Sequence, residues 1–517
     1  MPIGPEYPKP EELIAIAADY GISLSGDEAT SYVNNMTPAI QSLRRLEMEP
    51  EELLPVKYKR DAGWQPKPED NPLNAWLWRC EIEGSGEGVL AGFDIGLKDV
   101  VSVAGLPLTN GTRILEHYVP NEDATIVTRI LDAGGKIVGK TNTSDFSFSG
   151  TAHNCSHGSV LNPFDNTRDT GASSGGSGAA ISSGDVPMAI GGDQGGSIRI
   201  PAAWSGCYGL KPSYGLVPYT GCGMIEMTMD HVGPMADSTE NVARLLTAIA
   251  GTDPLDPRQR GIIPADFKFD YMEALGRGAD GMKIGIVTEG FGLPEAGSVP
   301  ASQAGVDDAV RNGAFAFEKL GATVEEVSLP EHVLGMDVYP AIMMEGATDY
   351  MMRGYGAGTN WQGYYQSSLY AALARGVKAH PGEIPPQVIS VMLTGEYLHR
   401  RYYSRYYHMG QNLRRKVRAG YDRLFETYDI LIMPTCPTVA TEIAPRDATI
   451  EETLGASFSM LRNTGVQDVT GHPSFSIPCG MSDGMPVGMM MTGRALEDNT
   501  LLAASAAFES LGDWKQK

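Results

Sequence analysis

Apolar and polar positions change their period along the chain, and the changes mark out its elements. Residues 11–20 carry a helical spacing that stops at Gly21, a residue suited to ending a helix in the left-handed conformation. A second helix is predicted over 27–47, and a polar, proline-rich connection follows from Pro50 to Pro72. Residues 1–75 are therefore expected to form an N-terminal helical arm, with a dimer contact as its expected role. From about residue 88 strands alternate with helices. Strand patterns surround Lys98 (90–103) and recur at 136–141, 186–190, 282–287, 322–327, 429–433 and 488–492. Helical patterns lie at 123–133, 177–183, 306–320 and 499–511. The expected fold is α/β, with a mixed, largely parallel central sheet covered by helices on both faces. Residues 76–517 are expected to form one catalytic domain. A mostly helical, tyrosine-rich insertion is expected near 345–425, including a long basic helix around 400–423.

Composition narrows the function. The 517 residues are 42% hydrophobic and 20% charged, in keeping with a globular core. The net charge of −23 disfavours nucleic acid and anionic membranes, since both need a basic footprint. Residues 1–8 have neither a basic nor an apolar segment of the secretory kind, and no apolar run of about 18 residues occurs. A cytoplasmic location is the resulting expectation. The six cysteines form no CxxC pair and read as buried free thiols. His153 and His157 sit in a loop-like stretch, and no metal or other cofactor is expected.

Many of the 62 glycines fall between Gly171 and Gly223. Two motif matches in and near this stretch fail on context. Gly134–Thr141 fits the phosphate-loop expression, but a helix ends at Gly134 and the strand lies inside the match, whereas that loop must open a helix. Gly171-Ala-Ser-Ser-Gly175 fits GxSxG, but a polar loop precedes it where a nucleophile elbow needs a buried strand. The stretch GASSGGSGAAISSGDVPMAIGGDQGGSIRIP (171–201) carries more. Glycines on both sides of a serine let backbone N–H groups converge on a small volume, as an oxyanion hole requires.

This run resembles the signature of the amidase signature family almost throughout, including Asp193, Gly195, Ser197, Arg199 and Pro201. Gly96-Leu-Lys-Asp99 resembles the setting of that family's catalytic lysine. The separations also match: 75 residues from Lys98 to Ser173 and 24 from Ser173 to Ser197. Other stretches (215–220 and 468–473) are similar to the bacterial amidases that accompany nitrile hydratases, whose helical arm implies a homodimer. The resemblance implies Ser197 as nucleophile, Ser173 as proton relay in a cis peptide with Ala172, and Lys98 as base. It implies an oxyanion hole from the amides of Gln194, Gly195, Gly196 and Ser197. Ser174, Asp193 and Arg199 would support these, and Phe148, Gln194, Met229 and Tyr339 would line the substrate pocket, closed by 461–467. Lysine is a base only when neutral, so burial must lower its pKa from about 10.4 toward roughly 7–8. The apolar neighbours Phe93, Ile95, Leu97, Val100 and Val101 suit that, and strand alternation should turn Asp99 away from the amine. The implied activity is hydrolysis of small aliphatic or aromatic carboxamides to the acid and ammonia. Carbamates, acyl hydrazides and esters stay open as substrates for the same triad, as does a place in a transamidating complex. The expected partner is a small-molecule amide substrate.

Overall fold

The structure is a computed structural model and describes residues 4–153, 155–295, 301–445 and 447–516. The chain divides into two compact units, Met1–Leu53 and Leu54–Lys517, a boundary earlier than the expected 75. The first unit contains helices Pro10–Asp19 and Gly26–Leu46. The second helix begins in a reciprocal cap: Ser25 Oγ accepts from the Glu28 N–H, and the Glu28 carboxylate accepts from the Ser25 N–H.

The larger unit is built on an 11-stranded sheet. Its strands are β1 (Trp76–Ile82), β2 (Asp94–Lys98), β3 (Lys136–Thr141), β4 (Met188–Asp193), β5 (Tyr208–Lys211) and β6 (His231–Ala236), then β7 (Lys283–Val287), β8 (Thr323–Val327), β9 (Ile430–Pro434), β10 (Ser474–Ser482) and β11 (Met485–Gly493). They lie in the order β1-β3-β2-β4-β6-β5-β10-β11-β9-β7-β8. The sheet is mixed, as expected, but "largely parallel" is corrected. Among the described residues four pairings are parallel (β2/β3, β2/β4, β7/β8, β7/β9) and six are antiparallel. Part of the reason is the β10–β11 hairpin. Its two-residue loop, Asp483-Gly484, has positive φ at both positions (51° and 74°), as a tight hairpin turn with matching twist requires.

Alternation along the strands separates two apolar clusters. Ile95, Leu97, Ile137, Met188 and Ile190 belong to the main core; Val138 and Ala189 belong to a smaller one with Ala179 and Ala180 of helix Gly175–Ser182. That helix is made of small residues because it must sit close to the backbone. A Cβ on Gly176 would lie 2.4 Å from the Ala75 carbonyl oxygen and 2.5 Å from the Asn142 nitrogen. The parallel trio β3-β2-β4 ends at Thr141, Lys98 and Asp193, and the carboxyl ends of such strands are where open α/β sheets place ligands.

The stretch 345–425 contains helices Ser367–Ala379, Pro386–Tyr402 and Arg405–Leu424, and helix Pro330–Ala347 leads into it. The expected single long helix near 400–423 is interrupted. Tyr403 and Ser404 both adopt left-handed φ values (54° and 58°), which end one helix before the next begins.

Candidate active site

Lys98 ends β2 and is completely buried. Its Nζ lies 2.5 Å from Ser173 Oγ and 3.3 Å from the Gly192 carbonyl oxygen. Burial lowers its pKa from the ordinary 10.5 to about 7, against the smaller opposing pull of Asp193 and Asp230. Asp99 is turned to the other side of the strand. It makes an ion pair with Lys140 Nζ at 2.7 Å and accepts hydrogen bonds from Thr109 N–H (2.8 Å) and Oγ1 (2.5 Å). Among the described residues the amine of Lys98 therefore meets a hydroxyl and a carbonyl and no carboxylate.

Ser173 and Ser174 precede helix Gly175–Ser182, and the Ala172–Ser173 peptide bond is cis. The Ser173 carbonyl accepts from Thr143 Oγ1 at 2.8 Å. Ser174 Oγ holds the backbone of Gly192 on both sides of its Cα: it accepts from the Gly192 N–H (3.1 Å) and donates to the Gly192 carbonyl (3.2 Å). The same carbonyl faces Lys98, so Ser174 helps to hold the surroundings of that amine. The Ser174 N–H donates to the Ser197 carbonyl at 3.2 Å, which joins the two serine loops. Ser197 Oγ borders a cavity and, among the described residues, has no hydrogen-bond partner, Ser173 included. Ligand-free catalytic hydrogen bonds are commonly open and close on substrate binding.

Asp193 organises the glycine turn. It accepts from the N–H groups of Gly196 (2.6 Å) and Ile198 (3.0 Å) and forms a two-pronged bond with Arg199 (3.0 and 2.9 Å). Arg199 also reaches Asp468 at 2.8 Å, and all three side chains are buried. Burial alone would raise Asp193; the Arg199 guanidinium and the N–H donors hold it well below the usual carboxylate range. Burial and the Asp193 charge push Asp468 up. Asp193 and Arg199 thus hold the turn together in the protein interior, and this is no surface pair.

One oxyanion expectation is corrected. The Gly196 N–H is occupied by Asp193 and is not available to a substrate oxygen. Among the described residues the N–H groups of Gln194, Gly195 and Ser197 have no protein acceptor, and all three residues border the cavity.

That cavity is small, with a volume of about 40 Å3, and is mostly apolar. Phe148, Gln194 and Tyr339 line it as expected, together with Ile225, Met343, Met344, Val391, Phe458 and Leu461. Met229 does not line it. Its side chain is fully buried in the main core, and its carbonyl accepts from His231 Nδ1 at 2.7 Å. Ile225 takes the wall position instead. Of the segment 461–467, Leu461 reaches the cavity and Thr464 touches the glycine turn from behind. The sequence patterns single out neither Thr143, Thr464 nor Asp468 for the site; each acts through contacts 30 to 269 residues distant.

A buried amine whose pKa is lowered to about 7, beside a serine and next to a second serine under converging N–H groups, is equipped for acyl transfer. Comparison with known proteins gives the class. The Amidase family model matches residues 75–502. The chain is 40% identical over 455 residues to an enantioselective amidase of Rhodococcus rhodochrous, covering 87% of this chain and 85% of that protein. It is 36% identical to a glutamyl-tRNA(Gln) amidotransferase subunit of Methanosarcina acetivorans, covering 85% and 88%. The crystal structure of a peptide amidase from Stenotrophomonas maltophilia superposes with a TM-score of 0.68 at 28% identity, covering 82% and 83%. The chain belongs to the amidase signature family. It is an amide-hydrolysing enzyme.

Proposed function

We propose that the enzyme hydrolyses small, neutral aliphatic or aromatic carboxamides to the acid and ammonia through an acyl-enzyme on Ser197. The observation that carries this reading is the fully buried Lys98, 2.5 Å from Ser173 Oγ with no carboxylate against its amine. Ser197 Oγ attacks the amide carbon while its proton passes to Ser173 Oγ, and the Ser173 proton passes to Lys98. The oxyanion is held by the N–H groups of Gln194, Gly195 and Ser197. As the C–N bond breaks, Ser173 donates its proton to the leaving nitrogen and regains one from Lys98. Water, activated through the same relay, then attacks the acyl-enzyme and frees the acid.

Two features of the cavity support a neutral amide. Among the described residues no ionised side chain lines it, so a charged substrate would enter without a counter-charge. Gln194 has a fixed orientation. The Tyr219 hydroxyl donates to the Gly223 carbonyl (2.9 Å), so it must accept from Gln194 Nε2 (3.0 Å). Among the described residues Gln194 Oε1 is left buried with no partner. A leaving group with an N–H satisfies it and an ester oxygen does not, a difference of about 1–3 kcal/mol. Gln194→Leu should lower the amide-to-ester ratio of kcat/KM about tenfold or more; an unchanged ratio would remove Gln194 from this role.

The homodimer and the cytoplasmic location belong to the same reading. Ile16, Tyr20, Ile22, Tyr32 and Leu46 of the arm are exposed, which suits a contact between two copies. Light scattering of the full chain and of a variant with these residues changed to polar ones tests that contact. Among the described residues no helix is long and apolar enough to cross a membrane. The nucleophile is tested by mass spectrometry after fluorophosphonate trapping. Label on Ser197, and no turnover by a folded Ser197→Ala, are expected; label on another serine rejects the mechanism.

A further inference from the structure

The hydrogen bonds around the peptide group joining Gly195 to Gly196 assign a part to a residue far away in the chain. The Gly196 N–H end donates to Asp193 Oδ1 at 2.6 Å. The Gly195 carbonyl end accepts from Thr464 Oγ1 at 2.5 Å. Thr464 is fully buried and precedes the short helix Gly465–Thr470. A hydroxyl has one proton to give. The other acceptor near Thr464 Oγ1, the Leu461 carbonyl, is at 3.3 Å, so the proton lies toward Gly195. With both ends held, this peptide plane cannot rotate, and its orientation sets where the flanking Gly195 and Ser197 N–H groups point.

Thr464 is itself braced. Its neighbour Asn463 is fully buried and donates to the carbonyls of Gly290 (2.9 Å) and Pro434 (2.8 Å), the latter ending β9. The far half of the sheet thus reaches the catalytic turn through Asn463 and Thr464. The approach is tight: a Cβ at Gly196 would lie 2.3 Å from Thr464 Oγ1, and Gly196 has a φ of 134°, so only glycine suits the position.

We propose that Thr464 is a positioning residue of the oxyanion hole, which turns the Gly195–Gly196 peptide so that the neighbouring amides face the developing oxyanion. This rests on Ser197 being the nucleophile. Thr464 touches no substrate; it acts through the orientation of the turn.

The test compares Thr464→Val, which keeps the shape and loses the donor, with Thr464→Ser, which keeps the donor. Turnover is counted per serine trapped by fluorophosphonate, so that unfolded chains are left out. Removing a direct oxyanion donor costs roughly 100- to 1000-fold in kcat, and an indirect one should cost roughly 10- to 100-fold. Thr464→Val should show that loss in kcat with KM within about twofold, because the interaction matters only when charge develops on oxygen. Its affinity for phenylboronic acid, whose adduct with serine is tetrahedral, should fall in parallel, and the midpoint of its pH–rate profile should stay in place. Thr464→Ser should recover most of the rate. If the valine does not fold, Thr464→Ala is read against Thr464→Ser in the same way. Wild-type kcat in Thr464→Val, equal losses in the valine and serine variants, or a shifted pH midpoint would overturn the proposal. The wild-type label separates the two readings. Label away from Ser197 rejects the mechanism itself; label on Ser197 with no valine–serine difference rejects only the part given to Thr464.

Discussion

Two lysines lie fully buried on neighbouring strands of one sheet, Lys98 at the end of β2 and Lys140 in β3, and their surroundings differ in one respect. Lys140 meets the Asp99 carboxylate at 2.7 Å. Lys98 meets a serine hydroxyl and a backbone carbonyl. Leu97 pairs with Lys140 across the parallel ladder, so Lys98 and Lys140 project to opposite faces. A buried cation must be paired or give up its proton. Lys140 has a counter-charge, and Lys98 is poised near neutrality at about 7. The same residue type, equally deep, is ion-paired on one face and is the proposed base on the other, and the position of one carboxylate makes the difference.

Substitutions should separate the two faces. The largest effect is expected from Lys98→Met. General-base catalysis contributes roughly 100- to 10,000-fold, and turnover should fall by that amount while the melting temperature holds, since the amine's partners are a hydroxyl and a carbonyl and its removal strands no buried carboxylate. Steady-state kinetics beside a thermal melt measures both. A large drop in melting temperature would make Lys98 structural as well and blur the contrast. Lys140→Met should do the reverse. It strands the Asp99 carboxylate, a defect of about 3–5 kcal/mol in denaturant unfolding, with turnover per trapped serine retained. The double variant Lys140→Met with Asp99→Asn should regain part of that loss; no recovery would mean that the pair is not what matters there. Smallest is the effect of Met344→Ala in the cavity wall, where lost apolar contact should raise KM a few-fold for an aromatic amide and less for an aliphatic one, since a deleted buried methylene is worth about 0.8 kcal/mol.

The catalytic half of the molecule is legible in the sequence because its chemistry is local. The glycine–serine run and the setting of Lys98 are continuous segments, and β3 and β7 fall where hydrophobic spacing puts them, within a residue. The parts that cannot be read there depend on contacts between distant segments. Thr143, Thr464 and Asp468 are ordinary polar residues until folding sets them against Ser173, Gly195 and Arg199. β6 contains Gly233 and Pro234, which weaken any strand pattern, and β5 has only four residues. Of the β10–β11 hairpin the strand at 488–492 is predicted and lies within β11, but β10 is not, because it is buried on both faces over most of its length and alternation is lost, although Asp483-Gly484 is a hairpin signal in its own right. Family resemblance puts Met229 in the pocket, yet it lies in the core, because spacing along a loop does not say which way a side chain turns.

The most direct test of an uncharged Lys98 is the pH dependence of the rate at which fluorophosphonate labels Ser197. Because Lys98 must lose its proton to act, the wild-type rate should climb about tenfold per pH unit below pH 7, bend near 7 and level off above 8. Lys98→Met should label slowly and without that bend. A wild-type rate that falls across this range, or the same bend in Lys98→Met, would contradict the account.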